Sequence, residues 1–354
     1  MAEVRIGDTW AASLPGVVSG LGWSSRWGSG PCGPVRASWS HSLPFAFDDA
    51  RLVVGQPVQV VQGGTPLLTG VLADVQRGDP WTFEAVSLSQ LADDFLALDS
   101  SGNPTTTISV AVAEAINRGL GWSNGSVFPA VTFGDGAAVQ VNKLSALLTP
   151  FHDTTLTRWG VDAYGRAFST TDPTTPRWVL DGSDVEIGLS RDELATVVVA
   201  RYLGPGGLAT VTRTNTAAKA RYGTKELPLN LTNLGTISAV TATSYADQVL
   251  ATAAQPTWLN QVSATPSKLT TVAGDPGDLS LVQAGQVVRI VGIPGRLGRL
   301  SGEGVMDGLI GEVSYEDGAR EVSLSPTRRA RRTLRDVIEA LENPPTTSVQ
   351  TFLR

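Results

Sequence analysis

A short pattern occurs twice in this chain, once near each end. The first copy is Gly55-Gln56-Pro57-Val58-Gln59-Val60-Val61 and the second is Gly285-Gln286-Val287-Val288-Arg289-Ile290-Val291. Each copy precedes a glycine-rich break and a second apolar strand, at residues 69–76 and 308–315. An internal repeat constrains the fold strongly, because each copy is expected to form the same structural unit. The sequence therefore predicts one β unit that is used twice.

The third strands extend the match and align residues 83–89 with residues 320–325. Between these strands, 38 glycines and 21 prolines interrupt short runs of Val, Thr and Ile. This pattern is typical of many β-strands separated by turns. The predicted fold class is mainly β with an α+β insertion: two related β-barrel domains, a smaller helical and strand insertion, and a C-terminal helix.

A chain of 354 residues is too long for one ordinary core, so two or three domains are expected. Helical spacing of apolar residues predicts helices over 108–118, 142–148 and 238–253, the first capped by Thr107 and stopped by Gly119. Four parts follow from these patterns: a first tube-like β-barrel domain (1–104), an α+β insertion domain (105–190), a second β-barrel domain containing helix 238–253 (191–326), and a C-terminal Arg-rich helix and tail (327–354).

Charge and cysteine content exclude several classes of protein. The net charge of -6 argues against a dedicated nucleic-acid binder, which needs a basic surface to displace counterions from phosphates. Cys32 is the single cysteine, so no intrachain disulfide forms. The first residues lack the basic and apolar regions of a signal peptide, and no apolar run approaches the roughly 18 residues that span a bilayer. Assembly in a cytoplasm is expected, with no membrane span.

The usual patterns of catalytic chemistry are missing from the sequence. His41 and His152 are the only histidines and lie in unrelated contexts, and no Gly-x-Ser-x-Gly elbow occurs. Adjacent acids occur as Asp48-Asp49, Asp93-Asp94 and Asp192-Glu193, but neighbouring residues point apart and do not face each other across a sugar cleft. We therefore predict no catalytic residues, no metal site and no cofactor. The protein is not expected to be an enzyme.

Arginines form the candidate interface. Two of them lie in the glycine-rich segment 292–299, and five crowd the first half of a predicted helix over 327–341, where they oppose the helix dipole. The helix carries an apolar stripe that predicts docking on the barrel or on a neighbour, with the arginines either solvated or facing acidic groups of a partner protein or passing DNA. The candidate interface residues are Arg296, Arg299, Arg328, Arg329, Arg331, Arg332 and Arg335.

Four short passages carry a resemblance to a known family. The chain resembles the minor tail proteins of siphophages that infect actinobacteria, namely those of the tail-tip hub, which are similar to the baseplate hub of contractile-tailed phages. These passages are Gly30-Pro31-Cys32-Gly33-Pro34-Val35-Arg36-Ala37-Ser38-Trp39, the stretch from Val54 to Val71, Arg221-Tyr222-Gly223-Thr224-Lys225-Glu226, and Ala284-Gly285-Gln286-Val287-Val288-Arg289-Ile290.

The resemblance implies a structural protein of the virion tail tip. In that family, hub subunits form a homotrimer in which two tube-forming β domains per subunit make a pseudo-six-fold β ring. The ring joins the six-fold tail tube to the three-fold tip and lines the channel for DNA ejection. The implied partners are the distal tail protein or tail tube subunits, the tape-measure protein, other minor tail or central fibre proteins and, transiently, passing DNA.

Two other functions stay open at the sequence level. The chain contains nine tryptophans, many of them beside glycine, and exposed tryptophans stack on sugars in carbohydrate sites. A carbohydrate-binding tail protein that contacts the host cell wall is therefore the alternative, although tryptophans also fill the cores of small β domains. A cell-wall hydrolase is the third reading, and the missing nucleophile, metal and separated-acid patterns argue against it.

Overall fold

Strands form most of the secondary structure of this chain. The computed structural model describes residues 2–134, 142–188, 194–253, 257–293 and 304–327. Strands of the first part are β1 (Ala2–Ile6), β2 (Thr9–Trp10), β3 (Val18–Arg26), β4 (Pro31–His41), β5 (Pro57–Gln62), β6 (Thr65–Gln76) and β7 (Trp81–Ser87). Elements of the middle part are α1 (Ile108–Asn117), α2 (Leu144–Thr155), β8 (Arg158–Val161) and β9 (Ala167–Thr170).

The remaining elements complete the chain order. Those before residue 254 are β10 (Pro176–Asp181), β11 (Ile187–Gly188), β12 (Val197–Gly204), β13 (Gly207–Thr214), α3 (Thr216–Tyr222), β14 (Glu226–Asn230) and α4 (Ala239–Ala253). Those after it are β15 (Thr257–Trp258), β16 (Val262–Ala264), β17 (Leu269–Thr271), β18 (Val287–Val291), β19 (Val305–Glu316) and β20 (Val322–Pro326). Together they confirm the predicted fold class, mainly β with an α+β insertion.

The first β unit consists of the neighbouring strands β3, β4, β7, β6, β5 and β1. Its strands alternate buried and less buried residues, as β7 shows from Trp81 onward, because successive side chains point to opposite faces of a sheet. Aromatic rings fill its core, where Trp39 and Phe83 stack with ring centres 5.3 Å apart. Buried aliphatic residues surround them, including Val60, Leu68 and Leu72.

Helices α1 and α2 pack in a second core. Helix α1 buries Ile108, Ala111, Val112 and Ala115, which lie at i, i+3, i+4 and i+7 and so form one face. Gly119 ends this helix as predicted: it has φ +103°, and the N–H of the next residue donates to the carbonyl of Ala115. The predicted cap Thr107 accepts the N–H of Ala111 through its backbone carbonyl, but its side chain makes no cap hydrogen bond with the helix. Its hydroxyl pairs with that of Thr132 instead.

Helix α2 is longer than predicted. It runs past Pro150 and ends where Leu156 adopts φ +56°. The proline removes one backbone donor from the helix. In the last turn, Thr154 Oγ1 donates to the carbonyl of Pro150 at 2.7 Å.

The core of α1 and α2 also contains a later part of the chain. Strands β13, β12 and β14 form a three-stranded sheet, and α4 packs against β12 and β13. Buried residues of this layer, among them Val198, Ala242 and Ala246, lie in one hydrophobic cluster with Leu144 and Trp159. The observed α4 therefore lies in the core of the insertion, although the domain limits given above stay a prediction.

The second β unit contains β10, β16, β17, β18, β19 and β20, together with the two-stranded sheet of β11 and β15, which packs on its core through Ile187 and Trp258. Strand β10 pairs in parallel with β18 and antiparallel with β17. Strand β19 pairs with β18 over its first half and with β20 over its second half. The core of this unit includes Trp178, Leu180, Val288, Ile290 and Ile310.

The repeat has the same register in both β units. The N–H groups of Gly55 and Gly285 donate to the carbonyls of Leu72 and Ile310, at 2.8 Å in each case. A register shift then follows both Leu72 and Ile310, so each second strand carries a bulge at the same position. The prediction of two related β units is confirmed at the level of individual hydrogen bonds.

The match between the third strands is wrong by four residues. Phe83 pairs with Val75 in β6, and the residue at the same place in the second unit is Leu324, which pairs with Val313. The sequence alignment instead set Phe83 against Arg320. The error arose because two β-strands with alternating apolar and polar residues resemble each other in sequence at several alignment offsets of an even number of residues.

Neither β unit is a closed barrel over the described residues. One continuous sheet runs from β17 through β10, β18, β19, β3, β4, β7, β6, β5 and β1 to β2, with strands β8, β9, β16 and β20 attached beside it. Its path passes directly from the second β unit to the first at the β19 to β3 pairing. This step positions the candidate site.

Candidate functional site

The two β units join edge to edge. Strand β3 pairs antiparallel with the second half of β19, from Arg26 opposite Glu312 to Gly22 opposite Glu316. We call this pairing, with the residues that extend it, the seam. Backbone bonds across an edge hold two units in a fixed register and remove an unpaired edge from each of them.

Hydrogen bonds extend the seam beyond the ladder. The N–H of Trp27 donates to the carbonyl of Gly311 at 2.6 Å. The N–H of Ala284 donates to Ser25 Oγ at 2.9 Å, and both of these residues are buried. The seam therefore reaches from the bulge of β19 to the residue immediately before Gly285.

Trp27 lies where the two β units and the insertion meet. Its ring stacks on Phe168 of β9, with centres 5.6 Å apart and planes 12° apart. The ring also lies against Gly285: a Cβ on this glycine would lie 2.3 Å from Trp27 Cε3. Gly285 also has φ +85°, a conformation that L side chains rarely adopt. Two independent reasons therefore require glycine at position 285: its positive φ, and the ring of Trp27, which leaves no space for a Cβ.

An ion pair between a buried arginine and a half-buried aspartate bonds the Trp27 indole. Its indole Nε1 donates to Asp172 Oδ1 at 2.8 Å. The guanidinium of Arg158, only 8% exposed, donates to the same carboxylate through Nε at 2.9 Å and Nη2 at 3.1 Å. Burial lowers the pKa of Arg158, but the hydrogen bond and charge of Asp172 outweigh it, so the net shift of this pKa is upward.

Cys32 lies behind this ion pair and is fully buried. Burial raises the pKa of its thiol to about 11. Its sulfur contacts the N–H and carbonyl of Gly28 at 3.4 and 3.5 Å. A buried, protonated thiol is a structural group and not a nucleophile.

We expect Cys32 to resist alkylation in the folded protein. The thiolate is the reactive form, and both burial and the raised pKa suppress it at pH 8. Mass spectrometry after maleimide treatment would show an unlabelled chain, and quantitative labelling once a denaturant is added. Fast labelling of the native chain would contradict the burial of Cys32.

Both histidines are buried structural residues. His41 and His152 are each 1% exposed, and burial lowers the pKa of both. For His152 the pKa falls to about 4, through burial first and then the charge of Arg158. Its Nδ1 pairs with Thr157 Oγ1 at 2.7 Å, and Phe151 packs edge-on against its ring. A neutral, water-excluded imidazole of this kind does not act as a general base near neutral pH.

The lowered pKa of His152 predicts a loss of stability in mild acid. The folded state binds this proton more weakly than the unfolded state, so its contribution is complete above pH 6.5 and is lost as the pH falls toward 4. The loss is about 3 kcal/mol, at 1.36 kcal/mol per pKa unit. Urea unfolding at several pH values would measure it. His152→Gln should flatten this dependence, and an unchanged slope would contradict the assignment.

The paired acids are not arranged for catalysis. Asp49 bonds Arg51, which lowers the pKa of Asp49 to about 2, and Asp48 pairs with Arg77 at 3.2 Å. Asp93 accepts a hydrogen bond from Ser145, while Asp192-Glu193 lies outside the described residues. Within the described ranges no group of three His, Cys, Asp or Glu side chains is placed to hold a metal ion. No described helix is long and apolar enough to cross a membrane.

Known proteins were compared with this chain by sequence and by structure, and only the comparison of structures found matches. No family model and no curated protein matches the sequence. Solved structures do match over nearly the whole chain. A 43 kDa tail protein of prophage MuSo2 from Shewanella oneidensis is 14% identical, with a TM-score of 0.54 over 92% of this chain and 97% of its own.

Two further tail proteins are similar to the same extent. The tail protein from Neisseria meningitidis has a TM-score of 0.55 at 14% identity, over 91% of this chain and 94% of its own. Prophage tail protein gp18 from Listeria monocytogenes has a TM-score of 0.57 at 12% identity, over 96% and 99%. The chain has the fold of prophage tail proteins. The match spans both β units and the insertion of this chain.

The tryptophans of this tail-protein fold are mostly buried. Trp10 is 41% exposed and Trp27 is partly covered at the seam, whereas the other seven lie in the cores. These seven are Trp23, Trp39, Trp81, Trp122, Trp159, Trp178 and Trp258. The predicted glycan surface depended on exposed rings, and one exposed ring does not form such a platform.

The seven arginines predicted as an interface fall outside the part of the chain that the structure describes. Arg296 and Arg299 lie in the range 294–303, and the other five lie beyond residue 327. Their role stays a prediction. The seam itself was missed at the sequence level, because its partners are far apart in the chain. A usable signal was the repeated glycine at position 285, which lies directly under Trp27.

Proposed function

We propose that this protein is a structural hub at the tip of a bacteriophage tail. Three copies form a ring of six β units, which joins the six-fold tail tube to the three-fold tip and surrounds the channel for DNA. The protein assembles in the host cytoplasm, acts in the virion, and is not an enzyme. Its neighbours are the distal tail protein or tube subunits, the tape-measure protein and other minor tail or central fibre proteins.

The seam is the observation that carries this proposal. It joins two β units of equal register within one chain, edge to edge and in the same sheet. A head-to-tail contact between like units continues around a ring when the rotation closes. With two such units per chain, three copies supply the six units of a six-fold ring. The similarity to the fold of prophage tail proteins supports a place for this ring in a phage tail.

Burial of the reactive groups supports a role without catalysis. The single thiol and both imidazoles are buried, and Asp48, Asp49 and Asp93 pair with arginine or serine. The arginines beyond residue 327, together with Arg296 and Arg299, are proposed to contact acidic groups of a tail neighbour or passing DNA.

Native mass spectrometry and electron microscopy of the purified chain test the proposal. The expected particle has three times the mass of the 37.1 kDa chain, and its end-on images show six similar lobes around a central opening. Variants that leave the seam untouched should give the same particle. A closed two-fold dimer, or images without a ring, would contradict the hub.

A further inference from the structure

The seam occupies a surface of the second β unit that the first β unit also has. In the second unit this surface consists of the backbone and side chains of four residues: Ala284, Gly285, Gly311 and Val313. The register of the repeat assigns each of them a counterpart in the first unit: Val54, Gly55, Ala73 and Val75. We call the two sets the second-unit socket and the first-unit socket.

The second-unit socket is filled within the chain. Ala284 is 8% exposed, Val313 is 2% exposed, and Gly311 is buried. Strand β3 and the ring of Trp27 cover them, through the bonds and contacts of the seam. The occupant is therefore a strand from another β unit of the same fold.

The first-unit socket is open. Val54 is 65% exposed, and a Cβ on Gly55 would meet no atom within 4 Å, although Gly55 has nearly the same backbone angle as Gly285. Ala73 is exposed as well, where its counterpart Gly311 is buried. Over residues 74–76, β6 pairs with β7 on one edge. The pairing of β6 with β5 stops at Val71, so the other edge of these residues has no described strand beside it. Exposed edges with apolar neighbours are normally covered.

One strand of the second unit corresponds to β3. In the first unit β4 pairs with β7, and β3 flanks β4 on its other edge. In the second unit β16 pairs with β20 in the place of β4, and β11 pairs with β15, the strand just before β16 in the chain. Strand β11 therefore occupies, in the second unit, the position that the part of β3 near Ser25 occupies in the first unit. Among the described strands, β15 is the one that pairs with β11, so one edge of β11 has no described strand beside it.

We propose that the first-unit socket of one copy receives the β11 edge of a second copy of this chain. The contact repeats the seam between chains, with β6 residues 74–76 in place of the second half of β19. It is heterologous, because one copy supplies the socket and the next supplies the strand, so each added copy presents a new open socket until a ring closes. The number of copies in that ring rests on the proposed function, whereas the socket does not.

Paired carboxylates placed in the socket test this contact. We expect the double variant Val54→Glu and Ala73→Glu to weaken association by about tenfold or more, because burying an unpaired charge is costly. Both positions are exposed in the single chain, so its fold should be kept, as far-ultraviolet circular dichroism and thermal unfolding would show. The matched control is Val240→Glu, at a valine on α4 that is 79% exposed. It should associate as the unmodified chain does.

Native mass spectra and sedimentation over a range of concentrations give distinct outcomes. An assembled double variant with unchanged affinity overturns the socket and leaves the hub ring standing. Dissociation of the double variant from an assembly that is not a trimer supports the socket and contradicts a ring of three. A chain that stays monomeric at every concentration overturns both. Without any substitution, amide hydrogen exchange at residues 73–76 should slow on assembly, and exchange that does not change would overturn the socket.

Discussion

Replacing Gly285 by alanine is expected to lower the free energy of unfolding by about 3 kcal/mol. Positive φ costs an L residue roughly 1 to 2 kcal/mol, and overpacking adds a similar amount. The new Cβ would lie 2.3 Å from the Trp27 ring, which is backed by Phe168 and so has little room to move. Urea unfolding followed by tryptophan fluorescence would measure the loss.

Gly55→Ala is the matched control for this prediction. Gly55 occupies the same place in the first copy of the repeat with φ +90°, and a Cβ there meets nothing within 4 Å. Its loss is therefore expected to be only the backbone cost, about 1 to 2 kcal/mol. The difference between the two variants, measured at a concentration where the chain is monomeric, isolates the Trp27 contact. Equal losses would show that Trp27 does not pack on Gly285.

Asp172→Ala is expected to cost about 3 kcal/mol. The substitution leaves the guanidinium of Arg158 buried without its counter-charge and removes the acceptor of the Trp27 indole. Breaking one partner of a buried pair is strongly destabilising, and the partial exposure of Asp172, at 39%, keeps the loss at the lower end. Chemical denaturation would record it as a lower midpoint.

A comparable but exposed pair provides the control. Asp247 bonds Arg213 at 2.7 Å, with the two side chains 47% and 46% exposed. Asp247→Ala is expected to cost less than about 1 kcal/mol, because water screens this pair. Adding Arg158→Met to Asp172→Ala should recover part of the stability, since no buried charge is then left unpaired. If the double variant is no more stable than the single one, the buried charge is not the cause.

Local patterns in the sequence predicted the local parts of the fold. Helix α1 and its stop at Gly119 follow from the spacing of apolar residues and one glycine, which act within a single turn. The first two strands of each repeat follow from a pattern that carries its own turn and bulge. These features depend on contacts between residues close in sequence, so they can be predicted from local sequence patterns.

The seam could not be predicted in this way. Trp27 and Gly285 contact each other only after two units have folded and joined, and neither residue is unusual on its own. The shift of the third strand has the same origin, because its register is set by pairing with β6 or β19 and not by its own letters. The shared core of α4 with α1 and α2 was also hidden, since α4 is separated from those helices by β10, a strand of the second unit.

The distance along the chain between the two sides of the seam has a consequence during synthesis. Strand β3 leaves the ribosome early, but its partner in β19 follows only on the order of 15 to 60 s later, at about 5 to 20 residues per second. Over that interval the nascent first unit carries a bare edge, which invites pairing with other chains. The sequence of β3 suits this wait, because Gly20, Gly22, Ser24 and Ser25 make it a weakly apolar strand with little tendency to bind a wrong partner.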